Sequence, residues 1–375
     1  MIRFDHVTKR FPDGTVAVDD LSLEAASGKI TVLVGPSGCG KTTSLRMINR
    51  MIEPSAGTIW LDDRDTAGFS ASDLRRGMGY VIQHAGLFPH RTIVDNVATV
   101  PLLLGTSKAQ ARSRAMELLE RVGLDASVAK RYPAQLSGGQ QQRVGVARAL
   151  AADPPVMLMD EPFSAVDPVV RAQLQDEFLR LQHDLGKTIV LVTHDIDEAV
   201  KLGDRIAVLR TGGHLAQFAA PTELLTRPAD DFVAGFVGRD RGYRALGFEA
   251  AGDLDPQREP TVVVGSDRAA AASVALDSWV LVVTEHDEPM GWLAIVPGAT
   301  GQVEPTLLNR GGTRVSVSGS FRDALDAALS SPSGRGVVID EDSRLVGTVT
   351  AGEVVRRIEA QLGDRRATAQ IAAVG

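Results

Sequence analysis

A glycine-rich stretch, GPSGCGKTT at residues 35–43, has the composition of a phosphate-binding loop. Its glycines allow a tight turn in which successive backbone N–H groups point at phosphate oxygens. Lys41 would neutralise the β- and γ-phosphates of a nucleotide, and the hydroxyl of Thr42 would bind Mg²⁺. The stretch therefore predicts an ATP site formed by Gly35, Pro36, Ser37, Gly38, Cys39, Gly40, Lys41, Thr42 and Thr43.

Two adjacent carboxylates, Asp160 and Glu161, end the apolar run VMLMDE. A carboxylate at the C-terminal end of a parallel strand faces the crevice in which such sheets bind nucleotides. Asp160 is predicted to hold Mg²⁺, usually through water, and Glu161 to act as the general base that polarises the attacking water. Without a phosphate loop upstream, the same pair would indicate only two solvated carboxylates.

The single cysteine of the chain, Cys39, lies inside the phosphate loop. Because it is close to Lys41 and to a predicted helix N-terminus, we expect its pKa to fall and its thiolate to be reactive. One cysteine excludes an internal disulfide and suits a reducing cytoplasm.

Three short apolar runs would position these groups: ITVLVG at 30–35, VMLMD at 156–160 and TIVLVTH at 188–194. Near-continuous apolar runs are typical of strands buried on both faces, so we expect a parallel sheet covered by helices. The first run leads through the glycines into a helical pattern, which is the context that a phosphate loop requires. Residues 107–122 have helical periodicity and predict a helical insert.

The 375-residue chain is long enough for two or three domains, and its 44% hydrophobic and 23% charged residues are those of a globular protein. A net charge of −7 provides no basic field for nucleic acid. The apolar runs are too short to span a bilayer, and the N-terminus lacks the apolar segment of a signal peptide. A membrane role would therefore require a partner protein.

The composition changes after the mid-230s. Residues 239–260 are polar and weakly periodic, and they predict a linker. Beyond it, strand–turn–strand patterns at 279–296 and 336–354 each follow a helix-like stretch, at 266–276 and 320–329, which indicates a repeat of roughly 55 residues. Residues 261–360 contain no phosphate loop, no metal-spaced histidines and no nucleophile constellation, so we do not expect catalysis there.

The sequence LSGGQQQR at 136–143 lies between the phosphate loop and Asp160. In this order, with Gln83 and His194 each placed after an apolar strand, the motifs resemble those of ATP-binding-cassette (ABC) ATPases over about residues 1–238. Alone, Gln83 would indicate only a polar residue after a strand, and His194 would more often be a structural histidine than a catalytic one. The resemblance implies an α/β P-loop NTPase fold with a RecA-like core and a helical subdomain at about 84–150.

The same resemblance implies roles for individual residues. Gln83 would touch Mg²⁺ and the γ-phosphate, His194 would hydrogen-bond that phosphate, and Phe11 would stack on adenine. Asp167, in the sequence SAVD, would belong to a loop that links two ATP sites. The signature would cap ATP held by a second copy of the chain, through Ser137, Gly138, Gly139 and Gln140.

Two further stretches, MINR at 47–50 and NVATVPLLL at 96–104, resemble ATP-binding subunits of bacterial importers for quaternary amines such as glycine betaine, carnitine and choline. This resemblance implies osmoprotectant import through a partner permease at the cytoplasmic face of the membrane, with an extracytoplasmic binding protein and a permease contact near 84–100. It also implies a tandem pair of cystathionine-β-synthase (CBS) domains at 261–360, before a tail at 361–375. The CBS pair would respond to ionic strength or to a small ligand such as a cyclic dinucleotide.

Two alternatives remain open. The chain could serve another ABC importer, such as a sugar importer with a β-barrel extension, although helical patterns at 320–329 and 352–362 disfavour an all-β tail. A soluble ABC ATPase that acts on DNA or the ribosome is less compatible, since those proteins usually have two cassettes or a large insertion and basic surfaces.

Overall fold

The computed structural model describes residues 1–83, 86–164, 166–252 and 254–361, apart from the side chain of Val169. The tail after residue 361 and three residues within the predicted motifs, His84, Ala85 and Ala165, lie outside the described residues. The chain divides into two compact units, Met1–Arg239 and Asp240–Gly375. This boundary lies one residue beyond the end predicted for the ATPase domain.

The first unit contains two sheets and a set of helices. Its strands are β1 Ile2–Arg10, β2 Val16–Ala25, β3 Ile30–Val34, β4 Ala56–Leu61, β5 Arg64–Asp65, β6 Met78–Val81, β7 Val156–Asp160, β8 Thr188–Thr193, β9 Arg205–Leu209 and β10 Leu215–Ala219. Its helices are α1 Lys41–Ile48, α2 Ala71–Arg76, α3 Ile93–Val97, α4 Thr99–Leu103, α5 Lys108–Arg121, α6 Gly138–Leu150, α7 Pro168–Leu185, α8 Ile196–Leu202, α9 Pro221–Thr226 and α10 Asp231–Val237.

The larger sheet has the strand order β10-β9-β3-β8-β7-β6. The neighbouring strands β9, β3, β8, β7 and β6 pair in parallel, and β10 is antiparallel to β9. The three apolar runs predicted as buried strands contain β3, β7 and β8, and every residue of these strands is buried. The parallel core predicted from their composition is therefore confirmed. A second sheet, antiparallel and ordered β2-β1-β4-β5, lies in the same unit.

Helix α1 is fixed by a core shared with both sheets. Leu45 and Ile48 of α1 pack in one cluster with Phe4 of the antiparallel sheet and Leu33 of the parallel sheet, and all four are at most 2% exposed. Burying a side chain of this size contributes about 1.5–3 kcal/mol. The loop between β3 and α1 is consequently held at both ends by buried elements.

The predicted helical insert is also present. Helix α5 buries Ala111, Ala115, Leu118 and Leu119, which follow the helical i, i+4, i+7, i+8 spacing. Ser107 begins it by accepting a hydrogen bond from the backbone N–H of Gln110.

The second unit contains two repeats of one α/β pattern. Its elements are α11 Arg241–Ala245, β11 Thr261–Val263, α12 Arg268–Val274, β12 Trp279–Val283, β13 Pro289–Ala294, β14 Leu308–Asn309, β15 Arg314–Ser316, α13 Phe321–Ser330, β16 Arg335–Ile339 and β17 Leu345–Thr350, and residues 351–361 are helical. In each repeat the first strand pairs in parallel with the second, which pairs antiparallel with the third. The predicted repeat is confirmed at the level of topology.

The segment predicted as a linker, 239–260, is a packed part of the second unit. It contains α11, and the backbone of Gln257 exchanges two hydrogen bonds with Thr348, of 2.8 and 2.9 Å. The N–H of Ala251 donates to the carbonyl of Gly319 at 2.8 Å. The polar composition of the segment suggested a linker. The groups that it pairs with lie 60 or more residues away in the sequence, so no local pattern indicates the pairing.

Candidate nucleotide-binding and hydrolysis site

The phosphate loop joins β3 to α1 and turns at three glycines, Gly35, Gly38 and Gly40, whose φ angles are 155°, 76° and 89°. A Cβ atom at Gly40 would lie 2.1 Å from the carbonyl oxygen of Ala17, so glycine is required at this position. Backbone with these angles is accessible to glycine and costly for other residues. The predicted loop geometry is therefore present.

Lys41 is folded over the loop that precedes it. Its Nζ donates hydrogen bonds to the carbonyl oxygens of Gly35, at 2.7 Å, and Pro36, at 2.9 Å. The side chain is buried, with 7% of the residue exposed. A bound phosphate would replace these neutral carbonyl acceptors with anionic oxygens, which adds a direct attraction between opposite charges.

The predicted metal-binding pair is in contact. Thr42 Oγ1 donates to Asp160 Oδ1 at 2.9 Å, and Arg46 Nη2 lies 3.8 Å from the other carboxylate oxygen. Burial raises the pKa of the Asp160 carboxyl, although the Thr42 hydrogen bond and the Arg46 charge oppose this. A hydroxyl and a carboxylate are hard oxygen ligands of the kind that Mg²⁺ prefers, so the donor set fits the metal.

Glu161 has an unusual backbone conformation. Its φ is 47°, in the left-handed region that is costly for a residue with a side chain, and its N–H donates to Val192 O at 2.9 Å. Gln83 Nε2 donates to Glu161 Oε2 at 3.0 Å, and His194 Nδ1 lies 3.2 Å from Oε1. Three residues that are far apart in the sequence thus meet at one carboxylate.

Lys41, Thr42, Glu161 and His194 line one cleft of about 470 Å³. Its lining consists of Ala17, Ser37, Gly38, Cys39, Gly40, Lys41, Thr42, Thr43, Glu161 and His194. The cleft therefore joins the phosphate loop to the candidate general base and to the histidine. Gln83 reaches the cleft through its hydrogen bond to Glu161.

The signature residues lie elsewhere. Ser137 and Gln140 form a reciprocal capping box at the start of α6, where the Ser137 hydroxyl accepts from Gln140 N–H and the Gln140 side chain accepts from Ser137 N–H. Ser137 and Gly138 are exposed. Among the described residues that line the cleft, none comes from the signature. Within one chain, the structure does not bring the signature and the phosphate loop together.

Two other predicted residues are at the surface. Phe11 follows β1 in the hairpin to β2 and is half-buried, with Lys9 Nζ 5.4 Å from its ring centroid. It is therefore not a core aromatic. Asp167 precedes α7, is exposed, and accepts a helical hydrogen bond from Arg171 N–H.

The prediction of a reactive thiol at Cys39 is wrong. The side chain is fully buried, and burial raises the pKa of the thiol, although the nearby charge of Lys41 opposes this. Lys41 Nζ is 3.8 Å from the sulfur and is directed at carbonyl oxygens. The prediction was based on the positive charges near the thiol. Burial of the side chain, which the sequence does not show, has the larger effect on the pKa.

Sequence reasoning missed Arg46 and Ala17. Arg46 lies one helical turn after Thr42, so the i, i+4 spacing places both on the face that meets Asp160. That spacing was available in the sequence. The contact of Ala17 with Gly40 depends on a strand that is distant in the chain, and no local pattern indicates it.

The fold and the cleft define a P-loop ATPase of the ATP-binding-cassette class. Residues 18–164 match the family described as ABC transporter. A dimeric ATP-binding cassette solved in a post-hydrolysis state with ADP and Pi is similar, with 33% identity and a TM-score of 0.55, covering 59% of this chain and 99% of that one.

Two curated relatives extend the similarity. The osmoprotectant import ATP-binding protein OsmV of Salmonella typhimurium is 50% identical over 292 residues, which cover 76% of this chain and 74% of the relative. The carnitine transport ATP-binding protein OpuCA of Listeria monocytogenes is 41% identical over 363 residues, which cover 95% of this chain and 91% of the relative. The chain belongs to this family of ABC transporter ATP-binding proteins and is an ABC-type ATPase. Within the described residues, no helix has the length and apolarity needed to cross a membrane.

Proposed function

We propose that Glu161 accepts the proton of the water that attacks the γ-phosphate of ATP, between Gln83 and His194. The observation that carries this is the convergence of both side chains on the two oxygens of one carboxylate, at 3.0 and 3.2 Å. Lys41 and the loop N–H groups would bind the β- and γ-phosphates, and Phe11 would stack on the base. In phosphoryl transfer, such positioning and charge compensation account for most of the catalysis.

Mg²⁺ would be held by Thr42 and Asp160, with Gln83 beside it. When bound, it would supply positive charge that neutralises the phosphate oxygens. Thr42 lines the cleft, and its hydrogen bond of 2.9 Å holds the Asp160 carboxylate beside it.

The test of these roles is the variant Glu161→Gln. Glutamine keeps the shape and the hydrogen bond to Gln83 but cannot accept the proton, so ATP binding should persist while kcat falls about 10²–10⁴-fold. Glu24→Gln, on an exposed position of β2, is the matched control and should hydrolyse ATP at the normal rate. Full steady-state hydrolysis by Glu161→Gln would exclude the proposed role.

A second copy of the chain would complete each site. The signature helix α6 exposes its N-terminus, and such a terminus favours anions through its free N–H groups and its dipole. Two copies would then enclose two ATP molecules, each between the loop of one copy and the signature of the other. Glu161→Gln should accumulate as an ATP-bound dimer, which size-exclusion chromatography with light scattering would detect.

The transported solute is proposed to be an osmoprotectant of the quaternary-amine class, such as glycine betaine, carnitine or choline. The similarity to relatives named for these solutes extends through the second unit, since one alignment covers 95% of the chain. The test is the ATPase rate of the transporter reconstituted with its permease and extracytoplasmic binding protein. Stimulation by a sugar, and not by quaternary amines, would favour the alternative importer.

The permease would bind a groove of about 320 Å³ in the first unit. The groove is lined partly by three apolar side chains that are unusually exposed: Met51 at 52%, Phe88 at 40% and Leu103 at 71%. Exposed apolar clusters of this kind mark interaction sites. Docking there would place the chain at the cytoplasmic face of the membrane. The groove includes part of the predicted contact at 84–100, of which His84 and Ala85 lie outside the described residues.

The second unit is proposed to be a tandem CBS regulatory module. It contains a cleft of about 140 Å³ whose lining includes Arg310, Arg314, Thr313 and Ser331 beside Trp292. Two guanidinium groups suit an anionic ligand, such as a cyclic dinucleotide, and charged walls would also respond to ionic strength.

The test of this module compares the full chain with a chain ending at residue 239, each reconstituted with the permease. Loss of the salt and cyclic-dinucleotide dependence of transport in the shortened chain would support a regulatory role. Unchanged dependence would exclude it.

A further inference from the structure

One arginine of the first unit touches two loops that border the reaction centre. Arg171, in the first turn of α7, donates a hydrogen bond from Nη2 to the carbonyl oxygen of Val166 at 3.0 Å. Its Nη1 lies 3.7 Å from Asp195 Oδ2. Val166 is in the loop that follows Glu161, and Asp195 directly follows His194. The guanidinium therefore connects the segment after the candidate base with the segment after the histidine.

The contacts continue from each loop to the reaction centre. Ser164 Oγ donates to the carbonyl oxygen of Glu161 at 3.0 Å, which fixes the start of the first loop. His194 Nδ1 lies 3.2 Å from Glu161 Oε1, so the second loop also contacts Glu161. Together with Arg171, these contacts form a ring that begins and ends at Glu161.

The base of the histidine loop is anchored to the same face of α7. Asp195 caps α8 by accepting from the N–H groups of Asp197 and Glu198. Gln175, one turn after Arg171, donates to Glu198 Oε1 at 3.3 Å, and both residues are 6% exposed. This contact between α7 and α8 is buried, whereas the contact of Arg171 is made with Asp195, the residue next to His194.

We infer that Arg171 is a positioning residue for hydrolysis, which holds His194 and the loop after Glu161 in one arrangement. The planar guanidinium can bind a carbonyl and a carboxylate at once, whereas a lysine ammonium acts as a point charge. This inference rests on the proposed roles of Glu161 and His194. Its consequence is that Arg171 influences the chemical step without touching ATP.

The test uses the full chain and three substitutions. Arg171→Met removes both contacts. A displacement of about 1 Å at a reacting group can lower the rate about 10²-fold. We therefore expect kcat to fall about 10- to 100-fold while KM for ATP changes less than about twofold. Arg171→Lys keeps the charge but not both contacts, so its kcat should lie between those of the native chain and Arg171→Met. Lysine also keeps the experiment usable if the methionine variant does not fold. Arg180→Met, at an exposed position of the same helix, should retain native kcat and KM.

The decisive measurement is the same substitution in a His194→Ala background. In that background the effect of Arg171 through His194 is already lost, so Arg171→Met should cause a clearly smaller loss than in the native chain, because residues that act as a unit are not additive. A full additional loss, an unchanged kcat in the single variants, or a raised KM at normal kcat would each overturn the inference. Normal hydrolysis by Glu161→Gln would instead refute the proposed site itself, so the two failures can be distinguished.

Discussion

The substitution Arg335→Met tests how the second unit is held together. Arg335 begins β16, and its side chain, 14% exposed, lies 3.0 Å from the Glu259 carboxylate, which is 2% exposed. It also pairs with Asp277 of the first repeat, and its guanidinium lies 4.9 Å from the ring centroid of Trp292. The Glu259 carboxylate otherwise accepts only from the Thr348 hydroxyl among the described contacts. One arginine thus connects both repeats with the segment that precedes them.

The expected magnitude follows from burial. Removing one partner of a buried ion pair leaves an uncompensated charge and costs about 3–5 kcal/mol, whereas an exposed pair contributes about 0–1 kcal/mol. For a unit of this size the larger figure corresponds to a fall in Tm of roughly 10 °C or more. The double variant Glu259→Gln, Arg335→Met should recover most of the loss, because it removes the buried charge together with its partner.

Calorimetry of the full chain, with and without a non-hydrolysable ATP analogue, separates the two units. The analogue stabilises the unit that binds it, so the transition that does not move belongs to the second unit. Arg258→Met, at an exposed position nearby, is the control and should leave that transition unchanged. A shift below about 3 °C in Arg335→Met, or no recovery in the double variant, would refute the assignment of a buried ion pair.

Two further predictions concern the first unit. Burial keeps the Cys39 thiol protonated and covered, so a maleimide should label the native chain at least about tenfold more slowly than the unfolded chain. Cys39→Ala should hydrolyse ATP at close to the normal rate. Fast labelling of the native chain would contradict this prediction. Leu103→Glu places a charge in the proposed permease groove. It should leave the ATPase rate of the isolated chain within about twofold of normal but abolish transport with the permease. Normal transport would exclude the groove as the contact.

The parts of the site that follow from local chemistry could be predicted from the sequence. An apolar strand, a glycine loop and a helix occur in order, and this order alone fixes where Lys41 and Thr42 lie relative to a phosphate. A carboxylate at the end of a buried strand faces the same crevice for the same reason, so Asp160 could be placed beside Thr42. The repeat in the second unit was visible because two stretches share the same alternation of strand, turn and strand.

Features that depend on distant partners could not be predicted. The segment 239–260 is polar, and only the folded chain shows that it pairs with Gly319 and Thr348. Arg171 carries no local signal, since its contacts join α7 to a loop and to the start of α8. The thiol of Cys39 was misjudged for the same reason, because the burial that controls its pKa comes from the packing of the whole sheet.

The backbone of Glu161 links this packing to catalysis. A non-glycine residue with positive φ costs about 1–3 kcal/mol and persists only where its surroundings enforce it. Here the N–H of Glu161 donates to the carbonyl oxygen of Val192, and its carbonyl oxygen accepts from the Ser164 hydroxyl. Its carboxylate accepts from the Gln83 amide and lies next to His194. In this conformation Glu161 lines the cleft. Since most of these contacts do not require the negative charge, Glu161→Gln should keep the conformation and lose only the proton acceptor, so its kinetic defect can be attributed to the chemical step.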